Sequence, residues 1–183
     1  MATLEICVRT ATPNDAAAFA GIYEPYVRST PISFEEVPPN ADEFACRMKT
    51  VLAYAPWLAA VADGQIVGYA YASRHAERAA YRWGIDVGVY VDQHFRGRGV
   101  GRRLYTELLS IVERQNYRRV YAGITLPNEA SVGLHRAFGF ELIGNYRRAG
   151  WKHGRWYDVA WFGRDVRSED DGNPDEPIPF PSL

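Results

Sequence analysis

Between residues 84 and 115 the chain changes its apolar period once, and it does so across a turn of glycine and arginine. Gly84–Val91 alternates: Ile85, Val87, Val89 and Val91 share one face, and Gly84, Asp86, Gly88 and Tyr90 the other, as in a strand. Gly99–Gln115 repeats at helical spacing, with Val100, Leu104, Leu108, Ile111 and Val112 in one stripe. The loop between them, Asp92–Arg98, runs into the helix as Arg96-Gly97-Arg98-Gly99-Val100-Gly101. A strand feeding a helix through so short a turn commits the chain to a layered fold, with helices covering a sheet. The turn also has the parts of an anion site. Glycine permits close backbone approach, and the helix start offers unpaired N–H groups at the positive end of its dipole. Arg96, Arg98, Arg102 and Arg103 add charge to the same spot. The same residues equally describe a glycine-rich turn beside a solvated basic helix.

Two familiar phosphate loops are excluded. A dinucleotide fingerprint needs glycine where this chain has Arg102, and a nucleoside-triphosphate loop needs Gly-Lys-Ser/Thr where it has Gly101-Arg102-Arg103.

The remaining segments fill out an alternation of strands and helices. Leu4–Thr10 reads as a strand. Thr12, Pro13 and Asp15 then form a helix start followed by Phe19, Ile22 and Tyr23 at helical spacing. Ser29–Pro39 is a loop, and Asn40 with Glu43 opens a second helix to about Ala53. Trp57–Ala62 and Gln65–Ser73 flank Asp63-Gly64, a hairpin signal. Arg74–Arg82 is a basic connection. Arg119–Thr125 reads as a strand, and a helix runs from Pro127-Asn128 to near Phe138, stopped by Gly139. Phe140–Arg148 and Trp156–Arg164 close the chain as a hairpin around His153-Gly154. The expected class is α/β or α+β, a sheet with covering helices, in one domain over residues 1–167. Residues 168–183, acidic and rich in proline, read as a mobile tail.

Charge sharpens the picture. The 183 residues carry 21 Lys and Arg against 22 Asp and Glu, a balance that argues against a nucleic-acid binder. The tail holds five acids and no base, so the body is cationic. Within residues 96–119, seven arginines face two glutamates, a local excess of +5 centred on the glycine turn. Only Lys49 and Lys152 are lysines; the other 19 cations are arginines, which suit bidentate recognition of carboxylate and phosphate. No apolar run approaches the roughly 18 residues of a membrane span, and the N-terminus lacks a signal-peptide pattern. Cys7 and Cys46 sit in no metal or redox spacing, and His75, His94 and His153 in no metal spacing, so no metal is expected. A cytoplasmic protein is expected, with neither membrane nor nucleic acid as a partner.

Arg96-x-x-Gly99-x-Gly101 after Val89-Tyr90-Val91 resembles the pyrophosphate loop of the GNAT superfamily of acyl-CoA-dependent N-acetyltransferases. Asn128 through Ser131 and Leu134 through Phe140 resemble its second cofactor helix. More narrowly, five segments resemble the phosphinothricin N-acetyltransferases: Ile32-Ser33-Phe34-Glu35, Tyr81-Arg82-Trp83, Val89-Tyr90-Val91, Leu134-His135 and Trp151 through Asp158. The likeness spans residues 5–166, in order.

The resemblance implies a GNAT-like, mixed but mostly antiparallel central sheet flanked by helices. It implies a homodimer, acetyl-CoA as co-substrate and a small-molecule amine as acceptor. The cofactor side would comprise Val89, Tyr90, Val91, Arg96, Gly97, Arg98, Gly99, Val100, Gly101, Arg102, Asn128 and Ser131. The strand backbone at Val89–Val91 would polarise the thioester carbonyl. Asn128 serves the pantetheine arm, the helix cap, or both.

Asp86 is the candidate general base, through water. The family carries glutamate at the matching position, so this chain departs from the pattern by about one methylene. An aspartate would need burial or a longer bridge to act near neutrality. His135 shares a helix face with Asn128 and Ser131 and is the second catalytic candidate, as acid or base. Phe34, Tyr71, Arg78 and Tyr81 are the substrate-side candidates, with Arg74 and Arg82 competing with Arg78 for a substrate carboxylate. The expected reaction is acetylation of the α-amino group of a compound such as phosphinothricin, methionine sulfoximine or methionine sulfone. The alternatives are a peptide N-terminal or polyamine acetyltransferase, and a non-catalytic acyl-CoA-binding module.

Overall fold

A computed structural model describes residues 5–167 and 172–183. Its strands are β1 (Cys7–Thr10), β2 (Trp57–Ala62), β3 (Gln65–Arg74), β4 (Gly84–Val91), β5 (Arg119–Thr125), β6 (Glu141–Lys152) and β7 (Arg155–Asp165). They form one sheet in the order β1-β2-β3-β4-β5-β7-β6. Four helices cover it: α1 (Ala16–Ser29), α2 (Ala41–Leu52), α3 (Val100–Arg114) and α4 (Glu129–Ala137). The expected mixed, mostly antiparallel sheet is what forms.

Local chemistry sets the ends of these elements. Thr12 N–H donates to Asp15 Oδ2 at 2.7 Å ahead of α1, with Pro13 in the first turn. Asn40 Oδ1 accepts from Glu43 N–H at 2.9 Å at the start of α2. The β2–β3 turn holds Asp63 at φ 49° and Gly64 at φ 75°; the β6–β7 turn holds His153 at φ 49° and Gly154 at φ 76°. Two consecutive positive φ values are what a two-residue type I′ hairpin requires.

Two hydrophobic layers sandwich the sheet. On one face Leu104, Leu108 and Val112 of α3 and Val132 of α4 pack on Ile85, Val87, Val120, Ala122 and Phe162. On the other Phe19 and Tyr23 of α1 and Phe44 and Met48 of α2 pack on Trp57, Ala59 and Tyr69, with Tyr90 against them. The alternation read in β4 is therefore real, because its valines and its tyrosine enter opposite layers.

Among the described residues only β4 and β5 run parallel, over three pairs: Gly84↔Arg119, Ile85↔Val120 and Asp86↔Tyr121. Pairing stops there, although β4 continues to Val91 and β5 to Thr125. The sheet is split from Asp86 onward, and this split positions the site.

Two expectations need correction. β1 begins at Cys7, and Leu4 lies outside the described residues. β6 runs to Lys152, past Arg148, because an irregularity between Tyr146 and Gly150, with Arg148 at φ 50°, lets pairing resume up to the turn. The acidic tail is tied down from its proline-rich part onward. Gln115, fully buried, donates from Nε2 to the carbonyls of Tyr54 and Ile178, and Ile178 N–H returns a bond to Gln115 O. Arg82 and Glu176 pair through two bonds at 2.8 Å, and Trp83 Nε1 donates to Asp175 O. The tail's backbone thus completes the donor pairing of a buried amide that Tyr54 O alone would leave with one N–H unmet. Residues 168–171, which carry three of the tail's acids, lie outside the described residues.

Candidate active site

A cavity of about 600 Å³ fills the split and continues under the glycine turn. Its walls come from β4, the Arg96–Arg102 turn, β5 and α4. Val89, Tyr90, Val91, Arg96, Gly97, Gly99, Val100, Gly101, Arg102, Asn128, Ser131 and His135 all line it. Arg98 does not; its guanidinium lies 5.3 Å over the Phe95 ring, so it adds only to the surrounding charge.

The turn is built for an anion. Gly97 and Gly99 stand at φ 73° and 85°, conformations L side chains rarely adopt, and Gly99 precedes an α3 start with no side-chain cap. The first N–H groups of α3 are thus open to a ligand. Arg96 lies 4.9 Å over the Tyr26 ring and Arg102 5.8 Å over Phe138, which holds both cations near the cavity mouth. Helix α3 also comes close to α4 here: a Cβ on Gly101 would stand 3.3 Å from Leu134 Cδ2.

The open edge of β4 is partly spoken for. Tyr26 Oη donates to Val91 O at 2.6 Å and accepts from Val91 N–H at 3.2 Å. Strand alternation then turns Val89 N–H to the same edge, and it is the donor facing the split. Tyr26, on α1, carried no signal in the sequence for this role.

His135 is buried at 3% exposure, and its protonation follows from its partners. Nδ1 lies 2.7 Å from Ser131 O, a carbonyl that can only accept, so Nδ1 carries the proton. Burial lowers the imidazole pKa and keeps it neutral. Nε2 therefore accepts, and Tyr105 Oη donates to it at 2.9 Å. Tyr105 is itself fully buried, which pushes its hydroxyl pKa up. Asn128 Oδ1 accepts from Ser131 N–H at 3.2 Å, so Asn128 does cap α4. Tyr105, thirty residues upstream, carried no signal in the sequence for this contact.

On the opposite face, Asp86 stands at the foot of the split. Burial raises its carboxyl above the ordinary value, and a contact with His75 offsets part of that rise. The contact is short: His75 Nδ1 lies 2.7 Å from Asp86 Oδ1. Gly84 and Gly88, on the Asp86 face of β4, are covered from neighbouring strands. A Cβ on Gly88 would meet the Tyr71 ring at 3.0–3.2 Å, and one on Gly84 the Tyr121 ring at 3.0 Å. Tyr71 is thus brought over β4 beside the split.

The other substrate-side candidates lie further out. Arg78 and Tyr81 line a separate cavity of about 300 Å³ closed by Glu176–Pro179 of the tail. Tyr81 still reaches towards the foot of the split, its ring 6.2 Å from that of His75. Arg82 is paired with Glu176, and Arg74 lies 5.1 Å over Tyr54. Arg78 has no side-chain partner among the described residues. The Phe34 ring stands over Gly150 of β6, where it fills the place a Cβ would take.

The loop bearing Phe34 is anchored by Lys152, whose buried Nζ donates to the carbonyls of Val27, Ser33 and Glu35 at 2.5, 2.6 and 2.9 Å. Glu35 in turn takes two bonds from Arg47 and one from Tyr23, and the Arg47 guanidinium holds its carboxyl below the usual range. These partners join Ile32–Glu35 to Trp151–Gly154, two segments noted separately in the sequence. Among the described residues no cluster of three or more His, Cys, Asp or Glu could hold a metal, and no helix is long and apolar enough to cross a membrane.

Comparison with known proteins agrees with this geometry. Residues 8–161 match the family model described as an acetyltransferase (GNAT) domain. The chain is 36% identical to a phosphinothricin N-acetyltransferase of Streptomyces viridochromogenes, over 93% of each chain. It is 30% identical to an L-methionine sulfoximine/L-methionine sulfone acetyltransferase of Pseudomonas paraeruginosa, over 84% of this chain and 91% of that one. Among solved structures, a phosphinothricin acetyltransferase from Sinorhizobium meliloti in complex with acetyl-CoA superposes with a TM-score of 0.90 at 34% identity. That match covers 93% of this chain and 94% of the other.

Proposed function

The chain belongs to the GNAT acetyltransferase family, and from that premise we propose that it acetylates the α-amino group of a small amino-acid-like compound of the phosphinothricin, methionine sulfoximine or methionine sulfone type. It is an N-acetyltransferase, and acetyl-CoA is its co-substrate. Loss of the ammonium charge would disarm such a glutamate mimic.

The observation that carries this reading is the split itself. It begins at Asp86, with the anion-binding turn and His135 on one face of β4 and the carboxylate on the other. The turn fits a pyrophosphate, through the open α3 N-terminus and Arg96 and Arg102. Asn128 and Ser131 border the path to the split. Bound there, acetyl-CoA supplies a thioester. The Val89 N–H donates towards the position of its carbonyl oxygen, where donors fixed in advance stabilise developing charge.

The acceptor amine arrives on the Asp86 face. Asp86 serves its deprotonation, and Tyr71 and Phe34 bound the approach. Arg78, which alone of the three candidates has no side-chain partner among the described residues, reaches from the neighbouring cavity to take the substrate carboxylate. His135 keeps its one proton bonded to Ser131 O, so its part is to hold Tyr105 and the cavity wall. The proton gained by sulfur comes from the amine nitrogen.

A homodimer in the cytoplasm completes the proposal. Its support is the exposed apolar band of the β6–β7 hairpin, with Leu142, Ile143, Tyr146, Trp151 and Trp156, and two free, exposed cysteines suited to a reducing compartment.

Steady-state CoA release tests the activity. Phosphinothricin, methionine sulfoximine and methionine sulfone should be turned over, while spermidine and an unblocked peptide should not. Arg78→Ala should raise KM for the amino acid at least about tenfold, the weight of one charge-assisted contact, without changing acetyl-CoA affinity. Turnover confined to spermidine or peptide, or none at all despite tight acetyl-CoA binding, would sink the proposal.

A further inference from the structure

The His75–Asp86 contact is not a surface ion pair of the usual kind. His75 follows the last residue of β3 and folds back over Asp86, whose strand neighbour in β3 is Ser73. Its ring stacks on Tyr121 at 4.1 Å between centroids and 22° between planes. Trp161 of β7 meets it edge-on at 5.9 Å, and Tyr81 at 6.2 Å. Three rings and a carboxylate, from four parts of the chain, thus hold one imidazole at the foot of the split. Asp86↔Tyr121 is the last β4–β5 pair, so His75 sits where the two strands part.

Its bond to Asp86 uses Nδ1. Nε2 makes no hydrogen bond to the described residues, and the side chain is 26% exposed. An ionised carboxylate accepts, so Nδ1 carries the proton and Nε2 presents a lone pair.

We infer that His75 is the immediate proton acceptor in this reaction, and that Asp86 is a positioning residue that orients the ring and stabilises the imidazolium it becomes. The inference rests on the acetyltransferase reading given above. It explains why a short aspartate suffices here: the carboxylate reaches the amine through an imidazole in place of a longer side chain or a water. It also gives the protonated ring a favourable seat, since Tyr121 offers a π face and Asp86 a negative charge. The groups facing the ring are Asp86 from β4, Tyr121 from β5, Trp161 from β7 and Tyr81 from the connection, and among them only Asp86 carries charge at neutral pH.

The step balances with no further reactant. The substrate enters as an ammonium and its nitrogen gives up two protons, the first before the neutral amine attacks and the second as the C–N bond forms and the thioester C–S bond breaks. One passes to Nε2 of His75 and then to water, and the other goes to the departing sulfur. The net product is amide, thiol and one released proton.

His75→Gln and His75→Asn keep an amide near Asp86 but carry no base. Each should lower kcat/KM about 10²-fold or more, the usual worth of a placed general base, with acetyl-CoA affinity by calorimetry unchanged. The acid limb of the wild-type kcat profile should vanish with either variant. In wild type, ¹⁵N NMR should place the neutral proton of His75 on Nδ1, and Asp86→Asn should release that preference. Wild-type turnover with both His75 variants equally fast and sharing the same acid limb would overturn the inference while leaving the acetyltransferase reading intact. A wild type that turns over no amine would overturn that reading first, and the dyad with it.

Discussion

Tyr105→Phe isolates one hydroxyl whose loss the structure prices. Tyr105 is fully buried and His135 is 3% exposed, and the bond between Oη and Nε2 is 2.9 Å long. Phenylalanine keeps the ring and its packing against Phe138 and Phe140. What disappears is the only donor to Nε2 among the described residues, because Nδ1 is committed to Ser131 O. A buried acceptor left without its donor costs about 1–3 kcal/mol, and removing the phenol's own burial penalty places the net near ~2 kcal/mol. For a chain of this size, roughly 2–4 °C of Tm accompanies each kcal/mol, so the variant should melt about 4–8 °C lower at pH 7.5.

The pH dependence carries the sharper test. Burial lowers the His135 pKa in the folded state, so as pH falls below the unfolded value of about 6.5 the unfolded chain takes up a proton that the folded chain refuses. Wild-type stability should therefore be complete above that pH and decline below it. The Tyr105 O–H bond exists only while Nε2 is unprotonated, so Tyr105→Phe removes one reason for the folded state to refuse the proton. The gap between variant and wild type should narrow from pH 7.5 to pH 5.5. Calorimetric unfolding across that range reads both quantities. A variant as stable as wild type, or a gap that widens towards acid, would refute the neutral Nδ1–H assignment on which the argument stands.

Lys152→Met should cost at least about 2 kcal/mol, since three buried carbonyls lose a charged donor, and hydrogen exchange should quicken through residues 30–36 more than elsewhere. Deleting residues 173–183 strips Gln115 Nε2 of Ile178 O and Arg82 of Glu176, and should lower stability by about 1–3 kcal/mol in urea unfolding. Asp15 sits at the start of α1 with its carboxyl held low chiefly by two bonds from Arg9, so its contribution is present above the unfolded value of about 3.9 and fades as pH falls through the lower folded one. Asp15→Asn should cost about 1 kcal/mol at pH 7, near the lower end of cap losses because Arg9 is exposed to solvent screening, and the difference should shrink below pH 4.

The sequence is informative wherever one residue constrains its immediate neighbours. Asp63-Gly64 and His153-Gly154 announce their turns because positive φ is costly for most residues, and the α3 stripe announces its buried face because helical geometry repeats it. The two-faced reading of β4 needs nothing beyond alternation. Contacts between distant residues have no such signature. His75 and Asp86 are separated by a connection that turns back on itself, and Tyr105 meets His135 across two helices. Gly84 and Gly88 show the same limit: an absent side chain is visible in the sequence, but the rings of Tyr121 and Tyr71 that fill the space come from other strands. The contacts of the proline-rich tail are hidden for a related reason, since the buried Gln115 amide that bonds it lies 63 residues from Ile178.

The two faces of the split also divide the proton chemistry unequally. On the α3–α4 side, His135 has its only proton bonded to a carbonyl, and burial sets the Tyr105 hydroxyl against ionising. Neither group has a proton to spare for the departing sulfur. On the α1–α2 side, Asp86 and His75 offer a place for a proton to go. On the proposed assignment the site takes protons from the nitrogen and supplies none from its own side chains, so the sulfur would be protonated at the nitrogen's expense. Such a one-base design predicts that kcat rises with pH through a single limb and then stays level, because no protonated side chain is needed for the thiol to leave. A falling alkaline limb that Tyr105→Phe or His135→Gln abolished would mean that the buried pair donates after all, and would return His135 to the role of acid.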